Sequence, residues 1–233
     1  MTADAPGPDS SSENDVARLT DAQKSLRAQM LATEHWSLLA SRSTTQSEVL
    51  TRIAIFLTLV SAGLVTLGVL GNATEFRGWF GVAALGVLLL LVFLGVITQL
   101  RVFNTATEDL VYVLAMNRLR GAYLDLDPGL EPYFMTGTTD DGPGAVKTYY
   151  AFADRDRSQV FASSMMLILI VNITLAGLLT GALTYALTGS VGWSIGVGVV
   201  IAIVVFVLWM SWGYRNYRHV LRTHEPMRRS TGG

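Results

Sequence analysis

The chain has no cysteine, six prolines and only three histidines in 233 residues. Without a thiol there is no disulfide, no cysteine nucleophile and no thiolate metal site. His35, His219 and His224 are scattered, and the spacing between the last two puts them on different faces of a helix, so no metal ligand set is expected. Charge is also scarce: 15% of residues are Asp, Glu, Lys or Arg, and a net charge of −1 gives no basic field for nucleic acid. No run of glycines forms a phosphate cradle, and no nucleophile stands beside a base. No cofactor and no enzyme activity are expected.

The scarcity of charge is concentrated in four places. Ile53 to Gly71, Phe80 to Gln99, Phe161 to Leu187 and Val191 to Trp212 contain no Asp, Glu, Lys or Arg. At about 1.5 Å rise per residue, each can cross a hydrocarbon core of about 30 Å. Hydrophobic residues make up 51% of the chain and the mean hydropathy is +0.41. A soluble bundle would need a much longer chain to shield four such runs. The sequence therefore predicts an all-α integral membrane protein, its four transmembrane helices forming two hairpins, with a helical cytoplasmic part. The first 49 residues are polar, so no cleavable signal peptide is expected and the first run serves as an uncleaved insertion signal.

Lys and Arg set the orientation, because short loops rich in them stay in the cytoplasm. Arg18, Lys24, Arg27, Arg42 and Arg52 precede the first run. Arg101, Arg118, Arg120, Lys147, Arg155 and Arg157 lie between the second and third, and Arg215, Arg218, Arg222, Arg228 and Arg229 follow the fourth. The loop Asn72 to Trp79 holds only Arg77, and Thr188 to Ser190 holds none. Both termini and the central segment are expected in the cytoplasm, with two short outer loops.

Six segments follow from these patterns. Residues 1–18, with Pro6, Pro8 and a serine run, are expected to be a disordered tail. Residues 19–49 predict an amphipathic helix from Thr20 to Ser43, lying on the membrane surface or packed on the inner connector, opened by a Thr20 and Gln23 capping box and carrying a weakly apolar stripe of Ala22, Leu26, Met30, Thr33, Ser37 and Ala40, widened by Leu19, Leu31, Trp36, Leu38 and Leu39. Residues 50–100 form the first hairpin. Residues 101–159 form a helical connector: the second span runs on to Asp125, breaks at Asp127-Pro128-Gly129, passes a Gly- and Thr-rich loop, and re-forms a helix from Ala145 through Phe152 into span three. Residues 160–213 form the second hairpin, and 214–233 a basic tail.

Within the spans, Gly177 with Gly181, and Gly192 with Gly196, form two GxxxG pairs suited to close helix packing. Asn172 is the most polar side chain near the middle of a span and is read as a hydrogen-bonding glue between helices. Trp209, Trp212 and Tyr214 stand where amphipathic rings prefer the membrane interface, and Arg215, Arg218 and Arg222 follow on one helical face near lipid headgroups. The acidic pairs Glu108 with Asp109, Asp125 with Asp127, and Asp140 with Asp141 are read as solvated charge. Pro132, Tyr133 and Phe134 form a stiff apolar element beside a polar loop, suited to docking a partner.

Two stretches look specified rather than generic: Leu31-Ala-Thr-Glu-His-Trp-Ser-Leu-Leu-Ala-Ser-Arg-Ser, leading into Arg52, and Met116-Asn-Arg-Leu-Arg-Gly-Ala-Tyr-Leu-Asp-Leu-Asp-Pro-Gly-Leu-Glu-Pro-Tyr-Phe. With the two-hairpin layout they resemble a group of uncharacterised multi-pass membrane proteins of actinobacteria, over most of residues 19 to 215. That resemblance implies a bacterial plasma-membrane location and no particular chemistry. A vaguer likeness, in a cytoplasmic helix followed by paired spans, is to the two-helix SLATT-type effector domains proposed to form pores in bacterial defence. This chain departs from them in having four spans and no fused sensor domain.

The function expected from all this is a non-enzymatic membrane scaffold or interaction protein, with the lipid bilayer, another copy of itself or a cytoplasmic protein as partner. The alternative is an oligomeric pore or small-solute channel lined by the third span, with Asn172 and its neighbouring threonines on the path.

Overall fold

The computed structural model describes residues 19–151 and 163–230. Every regular element among them is helical. They are α1 (Asp21–Ala73), α2 (Phe80–Leu126), a short 3-10 helix (Pro128–Tyr133), α3 (Gly142–Tyr149), α4 (Ser164–Thr188) and α5 (Val191–Thr223). Helices α1, α2, α4 and α5 are long and apolar enough to cross a membrane. The proposed tail at 1–18, the entry into span three at 152–162, and the basic residues Arg155 and Arg157 lie outside the described residues.

α1 is a single helix of 53 residues where the sequence suggested two pieces. Its N-terminus is the capping box: the Thr20 backbone N–H donates to Gln23 Oε1 at 2.9 Å, and the Gln23 N–H donates back to Thr20 Oγ1 at 3.4 Å. Nothing between Ser43 and Arg52 breaks it. That stretch has neither Gly nor Pro, Thr44 and Thr51 donate to their own helix carbonyls at Ala40 and Ser47, and Arg52 pairs with Glu48 one turn back. α2 stops at Leu126, where Asp127 caps the 3-10 helix and Pro128 follows. α4 begins on the Ser163 cap and ends on Gly189, whose φ of 67° favours a residue without a Cβ.

The chain divides into two compact units. One, the apolar unit, comprises residues 46–105 and 163–216. Its core is Ile53, Phe56 and Val60 of α1, Leu88 and Leu91 of α2, and Ile168 and Leu175 of α4. Its outside is as apolar as its inside: at most 28% of the most apolar stretch of any of the four helices is buried. An exterior of that kind suits hydrocarbon and not water. α4 and α5 meet through small residues. A Cβ on Gly198 would lie 2.7 Å from the carbonyl oxygen of Gly177, and one on Gly181 would lie 3.1 Å from that of Ser194. Gly192 and Gly196 instead have nothing within 4 Å, because Ser194 and Gly198 occupy the face of α5 turned to α4. The packing pair on α5 is thus displaced by two residues from the GxxxG spacing.

Gly198→Val is expected to lower the stability of this unit by about 2 kcal/mol, since the backbones cannot separate without losing their contact. Gly196→Val should cost almost nothing. Unfolding in mixed micelles would compare the two variants, and equal stabilities would refute the assignment.

The polar unit comprises residues 19–45, 106–151 and 217–230. Leu110, Val113, Leu114 and Met116 of α2 and Ala145 of α3 are buried together, with Leu38 of α1 and Val220 and Leu221 of α5 packed against them. The face of α1 that turns inward here carries Ala28, Leu31, His35, Leu38 and Arg42. Of the stripe read from the sequence, Leu31 and Leu38 turn inward, whereas Leu26, Met30, Ser37 and Ala40 are exposed.

Candidate functional site

The polar unit holds a set of carboxylates whose hydrogen bonds join separate parts of the chain. Asp141 caps α3: its side chain accepts from the Gly144 N–H at 2.9 Å and from Thr139 Oγ1 at 2.9 Å. This fixes the loop so that the preceding residue, Asp140, turns inward and is completely buried. α5 ends at Thr223, two residues before Glu225, which a following proline keeps out of helical conformation. The chain beyond lies on the carboxylates. Asp140 accepts from the Arg118 guanidinium at 2.7 Å, from the Met227 N–H at 3.1 Å and from the Arg228 N–H at 2.7 Å, with His224 Nε2 at 3.3 Å. The Ser230 N–H and hydroxyl both donate to Asp141 Oδ2 at 2.7 Å, and the Arg228 guanidinium pairs with Asp125. Arg118 also donates to the Glu225 carbonyl at 3.3 Å.

Burial pushes the Asp140 carboxyl up, but the N–H groups of Arg228 and Met227 and the Arg118 guanidinium outweigh it and hold the pKa below the ordinary carboxylate value. Asp141 is lowered likewise, burial being overcome by the hydroxyl and N–H of Ser230 and by the Gly144 N–H. Carboxylates bonded in this way are fixed as anions. They suit holding a strand of chain, not passing protons.

A second cluster lies where α1, α2 and α3 meet. Arg42 grips Asp109 through both of its forks, Nε to Oδ1 at 2.6 Å and Nη2 to Oδ2 at 3.2 Å, and the Tyr149 hydroxyl donates to Oδ2 at 2.8 Å. Burial and the Asp109 charge push the Tyr149 hydroxyl far up, so it stays a neutral donor. Asn117 is wholly buried. Its Nδ2 donates to the Thr139 carbonyl at 3.1 Å, and its Oδ1 accepts from Thr148 Oγ1 at 2.7 Å and Arg120 Nη1 at 2.8 Å. The acidic pairs read as solvated charge are corrected by these contacts. Asp109, Asp125, Asp140 and Asp141 each hold two parts of the chain together, and Asp127 caps a helix.

The other residues singled out in the sequence fall in several places. Asn172 is buried in the apolar unit, its Nδ2 donating to the Gly95 carbonyl at 2.9 Å and to Gln99 Oε1 at 3.1 Å. Gly95 and Gln99 are the partners that sequence reasoning missed. Trp209 stacks on Phe103 with ring centroids 5.6 Å apart, and Trp212 meets the same ring edge-on at 5.3 Å, while Tyr214 and Arg215 are exposed. Arg218 and Arg222 are also exposed. Pro132 and Tyr133 face outward, and Phe134 packs on Tyr123 at 6.4 Å between ring centroids. Against α4 and α5 runs an open apolar groove of about 830 Å³, floored by Gly177, Gly181 and Gly198. Among the described residues no group of three His, Asp or Glu side chains is arranged to hold a metal ion.

No protein family, characterised protein or solved structure matches the chain.

Proposed function

We propose that the protein is a non-enzymatic scaffold or interaction protein of the bacterial plasma membrane. Its spans form two hairpins, both termini lie in the cytoplasm, and its polar unit binds a protein partner there. The bacterial setting is the one implied by the resemblance to the actinobacterial proteins. The observation that carries the reading is apolar surface where water would be: in the polar unit, Trp36 is 71% exposed and Tyr133 79%, accompanied by Leu26, Met30 and Met135. Large apolar side chains left outside both the spans and the core mark a surface that another protein covers. The carboxylates of the polar unit support the same reading, because their hydrogen bonds join parts of the chain and hold its surface in one shape. Asn172 favours it over a pore, since its amide nitrogen is engaged by another helix.

A photoreactive amino acid placed at Trp36 or Tyr133 in cells should give discrete adducts, and one at exposed Lys147 should not. Proteoliposomes of the purified protein should hold ions and dyes. Absence of adducts together with a leak that Asn172→Leu abolishes would replace the scaffold with the pore.

A further inference from the structure

We propose that the groove against α4 and α5 binds one phospholipid molecule, whose two acyl chains fill it from the leaflet beside the α4–α5 turn. The groove holds about 830 Å³ and lies within the apolar unit, among helices that can cross a membrane. Its depth comes from absent side chains. Gly177, Gly181 and Gly198 keep the seam of α4 and α5 low, and Leu64 and Leu67 of α1 with Leu88 of α2 line it too. Two hydroxyls along it are already used: Thr174 donates to the Ile170 carbonyl at 2.8 Å, and Ser194 to the Ser190 carbonyl at 2.7 Å. No charged side chain is among the described residues that line it. Water, which takes about two to four polar partners, has none along such a wall.

Length and volume decide between the remaining occupants, a helix of a second copy and hydrocarbon chains. The lining runs over residues 173–185 of α4 and 191–202 of α5, about 17 Å at ~1.5 Å per residue. That is a little over half of a hydrocarbon core of about 30 Å, so the groove serves a single leaflet. A helix about 10 Å across would take about 1,300 Å³ over this length, more than the groove has. Sixteen residues line it, fewer than the roughly 20–30 a side of a stable protein interface. At about 30 Å³ per methylene, close to the share of a water molecule, the groove takes on the order of thirty carbons, the content of two acyl chains. Tyr185, in the last turn of α4, puts an amphipathic ring at the headgroup end. The chains are in hydrocarbon before and after binding, so nothing is gained by leaving water. Contact with the groove holds them, and retention depends on chain length and hardly on headgroup charge.

The test carries the full-length protein into a mass spectrometer from nanodiscs. These contain phosphatidylcholine and phosphatidylglycerol in equal parts, each with twelve-carbon and sixteen-carbon chains. One lipid should stay on each protein, the longer chains being preferred at least fivefold and the two headgroups retained within about twofold of each other. Thr174→Phe places a ring at an exposed point of the groove and should lower retention at least fivefold. Leu183→Phe, exposed on the same helix outside the groove, should retain lipid as the parent chain does. The preference for chain length is read on the parent chain, so it stands whether or not the variants fold. Equal retention of the two chain lengths, or of lipid by Thr174→Phe and Leu183→Phe, overturns the site. So does a strong preference for phosphatidylglycerol, which would put the lipid on basic residues instead. A lipid-free dimer that Thr174→Phe splits would give the groove to a second copy.

Discussion

Asp140→Ala is expected to free the end of the chain. Three donors from two regions, Arg118 and the N–H groups of Met227 and Arg228, lose one buried acceptor together. The loss is worth about 3 kcal/mol, which moves the bound-to-free ratio of the tail by roughly a hundredfold. The absence of cysteine makes this simple to observe, because a nitroxide on Met227→Cys labels one place only. Its spectrum should be that of an ordered label in the parent chain and largely mobile after Asp140→Ala. Acid should have the same effect. Asp140 and Asp141 both have depressed pKa values in the folded chain. Their contribution is therefore complete above the ordinary carboxylate pKa of about 4 and fades as the pH falls through the lower folded values. A label equally mobile before and after the mutation, or unmoved between neutral and strongly acid pH, would show that these carboxylates do not hold the tail.

Gly95→Val is expected to be the most damaging single change in the apolar unit. A Cβ at this position would overlap the Asn172 side chain and come within 3.0 Å of the Phe56 ring. The variant both overpacks the contact and displaces Asn172 from the Gly95 carbonyl and from Gln99, at a cost of about 3 kcal/mol. Asn172→Leu removes the hydrogen bonds without the overlap and should cost about 1 kcal/mol, in keeping with the modest worth of such bonds between helices in lipid. Unfolding of both variants in mixed micelles measures the difference. A Gly95→Val protein no less stable than Asn172→Leu would mean that α2 and α4 do not approach at this point.

The four long helices were legible because an unbroken apolar run needs no tertiary information to be recognised. The inward face of α1 was legible only in part. Leu31 and Leu38 belong to the stripe read from the sequence, but His35 and Arg42 sit between them, so an apolar count centres the stripe on Leu26 and Met30, which are exposed. Hydropathy cannot register that Arg42 is compensated by Asp109, a residue 67 positions away. The same limit hid Asp140, whose donors include residues 87 and 88 positions later. Short of those partners, an acidic pair in a Gly-rich loop looks like solvated charge. Asn172 stood out by its chemistry. Gly95 could not, because nothing in its own run distinguishes it from Gly81 or Gly86, which meet nothing within 4 Å. The continuity of α1 through Ser43 to Arg52 was readable from the absence of Gly and Pro, had the change from polar to apolar residues not been taken for a boundary.

The tail contacts also impose an order on how the protein is made. Asp140 and Asp141 leave the ribosome long before the residues that satisfy them, and at about 5–20 residues per second the wait for Met227 and Arg228 is on the order of ten seconds. Throughout that interval Asp140 has Arg118 alone of its donors, and Asp141 has only Thr139 and Gly144, so the loop from Gly137 to Gly144 lacks the chain that covers it. A chain lacking the segment from His224 onward keeps the long apolar helices and leaves Asp140 with Arg118 as its one remaining donor from the set. Loss of residues 224–230 would therefore expose the loop to proteases, because Asp140 and Asp141 would lose the donors that cover it.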